Sequence, residues 1–291
     1  MTAATITVLA RGEWEPRARA HAARVDAATA AHRDRVRRGE KHAVEDFLFE
    51  YYSTRPAALR RWHPGIGIVL EDAPEHAAWR WYANDSAGAR VDARAFWEAR
   101  GSAVNFVESL LTRTAGRPLH LGCFGLHEWA MVYRAGERRH PLPLRLGSAG
   151  TDAVVEANSL VCTHFDAYRF FTPDAAPRNA AALSREAQAE REQPACLHAN
   201  MDLFKWCAKL SPAVPSELQQ VCFELAMEVR RVDMQASPYD VSGLGLEAIP
   251  IETPEGKSRY AALQREFAQR AGALRERLIA ACVSVREAGA A

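Results

Sequence analysis

The six cysteines, at 123, 162, 196, 207, 222 and 282, include no Cys-x-x-Cys pair. That spacing argues against a structural zinc site and against a disulfide framework, and points to free thiols in a reducing cytoplasm. No run of about eighteen apolar residues occurs, so no membrane-spanning helix is expected. The first residues lack the apolar core of a secretory signal. Neither sign of charge is in excess: 37 Lys and Arg against 36 Asp and Glu give a formal net charge of +1. Contact with nucleic acid would therefore have to come from a local basic patch. Also missing are a P-loop, a Gly-x-Gly-x-x-Gly opening a helix and a Gly-x-Ser-x-Gly nucleophile turn.

What remains is an ordinary globular chain of 291 residues, 48% apolar and 25% charged, long enough to bury a sizeable core. The pattern predicts a mainly α fold, a bundle-like single domain with at most a small β hairpin. Residues 1–39 read as a loose leader ending at Pro16, followed by a basic, Ala- and Arg-rich helix stopped by Gly39. Residues 40–287 read as the helical catalytic domain. Helices are expected over 41–53, from Pro56, over 94–114, after the small-residue loop before His127, from a Ser216 N-cap, and over 257–287. Pro141 and Pro143 forbid a helix around 139–147, and the alternating stretches PLRLG and DAVVEANSLV predict one hairpin there.

Chemistry concentrates between Leu160 and Leu210. Cys162-Thr-His164-Phe-Asp166 and Cys196-Leu-His198-Ala-Asn-Met-Asp202 each place a His two residues after a Cys and then an Asp among aromatics. On a helix His198 and Asp202 share one face. His127 and Glu128 are adjacent, so they project about 100° apart and are not expected to serve one centre. Helical bundles collect metal ligands from facing helices. Here the candidates are His42, Glu45, Asp46, His164, His198, Asp202, Glu224 and Glu228, which would hold iron or another divalent metal for a di-iron-type oxygenase or oxidase acting on a small molecule.

A second pattern concerns bases and phosphates. His63-Pro64-Gly65-Ile66-Gly67 resembles the turn of helix-hairpin-helix DNA glycosylases, whose Pro-Gly-apolar-Gly turn aims amides at a phosphate. Asp92 is the nearest candidate for the Asp that follows in those enzymes. More broadly, KHAVEDFLFEYYSTRPAALRRWHPG, GCFGLHEWAMVYR, CTHFDAYRFFTP, QPACLHANMDLFKW and DMQASPYD resemble a bacterial family labelled 3-methyladenine DNA glycosylase, over about residues 40–280. The resemblance implies a DNA-repair hydrolase that cleaves the N-glycosidic bond of an alkylated purine, with damaged DNA as partner and no cofactor. Under that reading a flipped base stacks on Trp62, Trp129, Tyr168, Phe170 or Trp206. Asp202 or Asp166 activates water, His164 and His198 orient it, and His127 and Glu128 join the catalytic set. Arg60, Arg61, Arg138, Arg139 and Arg145 contact phosphate.

Overall fold

The computed structural model describes residues 7–136 and 141–290. These are mainly helical. The first strand, β1 (Thr7–Leu9), leads into α1 (Arg11–Arg38). The Glu13 carboxylate accepts from the Ala10 amide at 2.9 Å, which satisfies a donor at the helix entrance. Pro16 therefore lies within the helix and does not end a leader: it forgoes a hydrogen bond to the Gly12 carbonyl near the helix start, where least is lost. Gly39 ends α1 in the left-handed region at φ 69°.

Three short helices, α2 (Phe47–Tyr51), α3 (Pro56–Leu59) and α4 (Pro74–Ala77), are interleaved with strands β2 (Ile68–Leu70), β3 (Tyr82–Asp85) and β4 (Gly88–Val91). The helix expected over 41–53 is confined to α2, because Asp46 caps the preceding turn. Its carboxylate accepts from the His42 amide at 2.8 Å and also holds Arg35 and His32.

The strands form one sheet in the order β1-β2-β4-β3, with β1 parallel to β2 and the other pairs antiparallel. The one hairpin in this sheet is β3–β4, not the pair expected near 142–161. There the chain forms α7 (Gly147–Glu156) instead. Thr151 Oγ1 donates back to the Gly147 carbonyl at 2.7 Å, and Val154 and Val155 bury one face against the core. Residues 139 and 140, which open the stretch where no helix was expected, lie outside the described residues.

The remaining helices build the main core: α5 (Ala93–Ala115), α6 (Leu126–Ala130), α8 (Phe165–Tyr168), α9 (Gln188–Arg191), α10 (Leu197–Lys209), α11 (Ser216–Gln235) and α12 (Pro254–Ala290). Asp92 is the N-cap of α5, accepting from the Ala95 amide at 2.9 Å. That contact gives it a structural task. Helix α5 packs along α12, and α10 along α11. Gly289 permits the first contact, since a Cβ there would stand 2.3 Å from Trp97 Cβ.

Ser216 is the first residue of α11, and Pro215 is its cap. The Ser216 hydroxyl instead accepts from the His63 amide at 2.9 Å and donates to the Arg61 carbonyl at 3.2 Å. The Ile66 amide donates to the Ala213 carbonyl at 3.1 Å. The His63–Gly67 turn thus spends these amides on its own chain and runs into strand β2 rather than a second helix.

Candidate functional site

Helices α10 and α11 each carry charged residues on buried faces, a costly placement unless every charge is paired. On α11, Arg230 and Asp233 stand one turn apart. Arg230 Nη1 donates to Asp233 Oδ2 at 2.8 Å and to Glu128 Oε1 at 2.8 Å. The other oxygen of Asp233 meets His127 Nε2 at 2.7 Å. His127 and Glu128 do project apart on α6, yet both reach the same Arg230–Asp233 pair, which is wide enough to span them. Burial works against a charged His127, but the Asp233 carboxylate outweighs it and lifts the imidazole well above its usual range.

The second arm draws on both Cys-x-His segments. His164 Nε2 stands 3.2 Å from Glu192 Oε1 and 3.3 Å from Asp202 Oδ2. Lys205 donates to that same Oδ2 of Asp202 and, at 3.2 Å, to Asp166 Oδ2. Tyr52 donates its hydroxyl to Asp202 Oδ1 at 2.8 Å. Burial alone would raise the Asp202 pKa, but the charges of Lys205 and His164 hold it well below the carboxylate range. Glu192 goes the other way: burial raises it, and His164 offsets only part of that. Neighbouring carboxylates driven apart in this way are a recurring feature of acid–base sites.

His198 sits between the arms. Its ring meets His127 edge-on at 4.5 Å between centroids and stacks on His164 at 5.3 Å. Among the described residues it makes no hydrogen bond, although it is only 7% exposed. Burial, and then the charge of His127, hold it well below the ordinary histidine range. It faces a small cavity of about 10 Å³ lined also by Cys123, His127, Cys162, Cys196 and Tyr260, a size at the threshold for one water molecule. His198 and Asp202 share α10 as expected, but Asp202 pairs with His164 rather than with His198.

The second arm reaches the surface at Asp166, which is 8% exposed. Arg185 and Arg169, both exposed, approach Asp166 Oδ1 at 3.0 and 3.3 Å. Partly exposed Phe165, Tyr168 and Phe170 lie on the segment of Asp166 and Arg169, and partly exposed Tyr51 ends α2. Arg169 lies over the Phe170 ring at 4.3 Å and Arg185 over Phe165 at 5.0 Å.

Other sequence candidates are not gathered here. His42 Nδ1 accepts from the amides of its own turn, and Glu45 pairs with Arg231 at 2.8 Å. Glu224, partly exposed, and Glu228, exposed, are held by Arg24 and Arg270. None of these four faces a shared metal position, because each already has a partner within its own surface layer. Trp62 belongs to a separate apolar cluster with Leu9, Trp14 and Leu70, and its indole donates to Glu217. Arg60 pairs with Asp26 at 2.9 Å, and Arg61 lies over Trp79. Trp129 is a core residue donating to the Ala236 carbonyl at 2.8 Å. Trp206 packs edge-on to Phe106, with Lys205 over its face. Arg145 forks onto Glu252. Arg138 and Arg139 lie outside the described residues.

Asp233, Arg230, Glu192, Lys205 and Tyr52 were not among the sequence candidates. The available signal was a pair of opposite charges one turn apart on an otherwise apolar helix face, as at Arg230 and Asp233. Among the described residues, no helix is long and apolar enough to cross a membrane. Comparison of the chain with protein-family models, curated proteins and solved structures gives no match.

Proposed function

We propose that the chain is a hydrolase of N-glycosidic bonds acting on alkylated purines in DNA, with its catalytic carboxylates at Asp166 and Asp202. The observation that supports this most is the placement of those two groups. Both are joined by Lys205, one is fully buried, and the other opens onto a rim of partly exposed aromatic rings and two exposed arginines. The rim offers stacking faces and phosphate contacts. The family resemblance of the sequence points the same way.

In this reading Asp166, the carboxylate nearest solvent, takes a proton from the attacking water. Asp202 holds a negative charge behind it and stabilises the cationic sugar as the bond to the base breaks. The electron pair leaves with the base, whose alkylation already makes it cationic. Oxygen from water ends on the sugar carbon. Lys205 keeps both carboxylates ionised, and Tyr52 and His164 fix Asp202 in place. No metal is called for in this reading: Asp166 and Asp202 are offset by Lys205 and His164, and Asp233 and Glu128 by Arg230 and His127. The six unpaired cysteines support a reducing, cytoplasmic location.

The test is release of free base from alkylated single- and double-stranded DNA. Wild-type protein is expected to release it without added metal, and Asp166→Asn and Asp202→Asn to lose about 10²-fold or more. Full activity in both variants, or no base released by the wild type, would overturn the proposal.

A second reading takes the same centre as an iron site for oxidation of a small molecule. It draws on two buried groups, His127/His198/Asp233 and His164/Glu192/Asp202, whose ligand atoms in each case lie within 4.8 Å of one another. Iron that co-purifies in stoichiometric amount, together with an oxidase activity that disappears with it, would favour this reading.

A further inference from the structure

Cys123, Cys162 and Cys196 come from three separate segments, yet all three line the one small cavity beside His127 and His198. None is in a disulfide. Cys123 Sγ lies 3.5 Å from His127 Nδ1. Two ligands of one tetrahedral zinc ion, a sulfur at about 2.3 Å and an imidazole nitrogen at about 2.0–2.1 Å, stand about 3.5 Å apart. The opposite nitrogen of His127 is held by Asp233, which Arg230 holds in turn. A carboxylate behind the imidazole is the usual support of a metal-bound histidine, fixing its tautomer and its ring.

We infer that this cavity is a binding site for a thiophilic divalent ion, zinc in the first instance, with Cys123, Cys162, Cys196 and His127 Nδ1 as ligands. The cavity has room for about one water-sized body, which suits a single ion. His198, nine-tenths buried and without a hydrogen-bond partner among the described residues, also lines the space, as does Gln264, whose buried Oε1 has no partner there either. Among the described residues no three of these sulfurs and His127 Nδ1 lie within 4.8 Å of one another, so ligation draws Cys162 and Cys196 inward by side-chain rotation. Each thiol that ligates gives up its proton to solvent, and the imidazolium of His127 gives up the one on Nδ1 while keeping the Nε2 proton that Asp233 holds. The ion would tie together the segments that carry His127, His164 and His198, which fixes the centre without taking part in its chemistry. This inference stands on the thiols and is independent of the glycosidic-bond reading.

Cobalt(II) added to the full chain under reducing conditions reports both binding and ligand type. The expected result is one bound ion, displaced by zinc, with an intense sulfur-to-cobalt charge-transfer band in the near ultraviolet. Cys162→Ser and Cys196→Ser should each weaken zinc binding at least tenfold, while Cys222→Ala leaves it unchanged. Should a serine variant fail to fold, protection of the thiols in the wild type serves instead: zinc should slow the reaction of three thiols with a disulfide reagent. Cobalt bound without the sulfur band would overturn the thiol site and direct attention to the His/carboxylate groups. No binding of either ion would overturn it outright, leaving base release to stand or fall on its own assay.

Discussion

Lys205 and His164 converge on the same oxygen of Asp202, Oδ2, while Tyr52 takes the other. One carboxylate thus carries two cationic neighbours and a phenol, inside a core where an unpaired charge would cost several kcal/mol. Asp202→Asn removes the charge at nearly constant volume. Lys205 keeps Asp166, and His164 keeps Glu192, so the stability loss should fall below the ~3–5 kcal/mol of an uncompensated buried charge. The expected outcome is a folded protein whose acid sensitivity has changed. Because the Asp202 pKa is depressed in the folded state, its contribution is present above the ordinary value of 3.8 and lost as pH falls below it. Urea unfolding at a series of pH values should show that acid-side loss in the wild type and a smaller one in Asp202→Asn.

Tyr52→Phe is the milder probe of the same anchor. It deletes a hydrogen bond to a charged acceptor and nothing else, for an expected cost of about 1.5–3 kcal/mol. The denaturant midpoint should drop with the slope unchanged. An unchanged midpoint would mean that Asp202 does not depend on the phenol.

Glu192 gives the opposite pH signature. Its pKa is raised in the folded protein, so as pH climbs past 4.5 the unfolded chain ionises first and stability falls. Glu192→Gln cannot ionise. The stability difference between wild type and variant should shift in favour of the variant from pH 4.5 towards neutral, and a pH-independent difference would place the group in water.

His63 adds a third titration, away from the centre. Burial pushes its imidazole down to about 3, and its Nδ1 lies 3.1 Å from the Tyr82 hydroxyl. The unfolded histidine takes a proton near 6.5 while the folded one stays neutral. Stability should therefore decline as pH falls from about 6.5 to about 3, by up to about 1.4 kcal/mol per unit from this group. His63→Asn should flatten that slope in equilibrium unfolding.

Two glycines of α12 should respond in opposite directions. Gly289→Ala meets Trp97 Cβ and the Ala93 carbonyl and should cost about 1–3 kcal/mol through overpacking. Gly272 has nothing within 4 Å of an added Cβ, so Gly272→Ala should gain about 0.4–1 kcal/mol. Thermal unfolding of the two variants side by side distinguishes them.

The long helices were legible because local signals agree with packing: α5, α11 and α12 lie close to where the apolar pattern and caps placed them, and α1 was found from its Ala- and Arg-rich composition and its Gly39 stop, though it begins at Arg11 rather than after Pro16. Helix α7 was not, because Gly147, Ser148 and Gly150 read locally as turn while tertiary burial of Val154 and Val155 decides otherwise. The sheet escaped notice because its strands are three or four residues long and β1 pairs with a segment about sixty residues later. For the centre, His164, Asp166, His198 and Asp202 stood out by spacing. Glu192, Arg230 and Asp233 enter through contacts between elements distant in sequence, which spacing does not encode. The thiol cavity shows the same limit, since Cys123, Cys162 and Cys196 meet in space without any local pairing motif.

Helix α10 is enclosed over nearly its whole length, with Leu197–Phe204, Trp206 and Cys207 all buried. A helix with no free side cannot fray or swing out by itself. Its amides should exchange with deuterium only when the whole domain unfolds, so the carboxylate it contributes is a fixed wall. Any gating of Asp202 must then be done from the opposite bank, by the four residues of α8 and the loop that carries Arg185. Mobility there, not in α10, would decide how often the centre is open to a visitor.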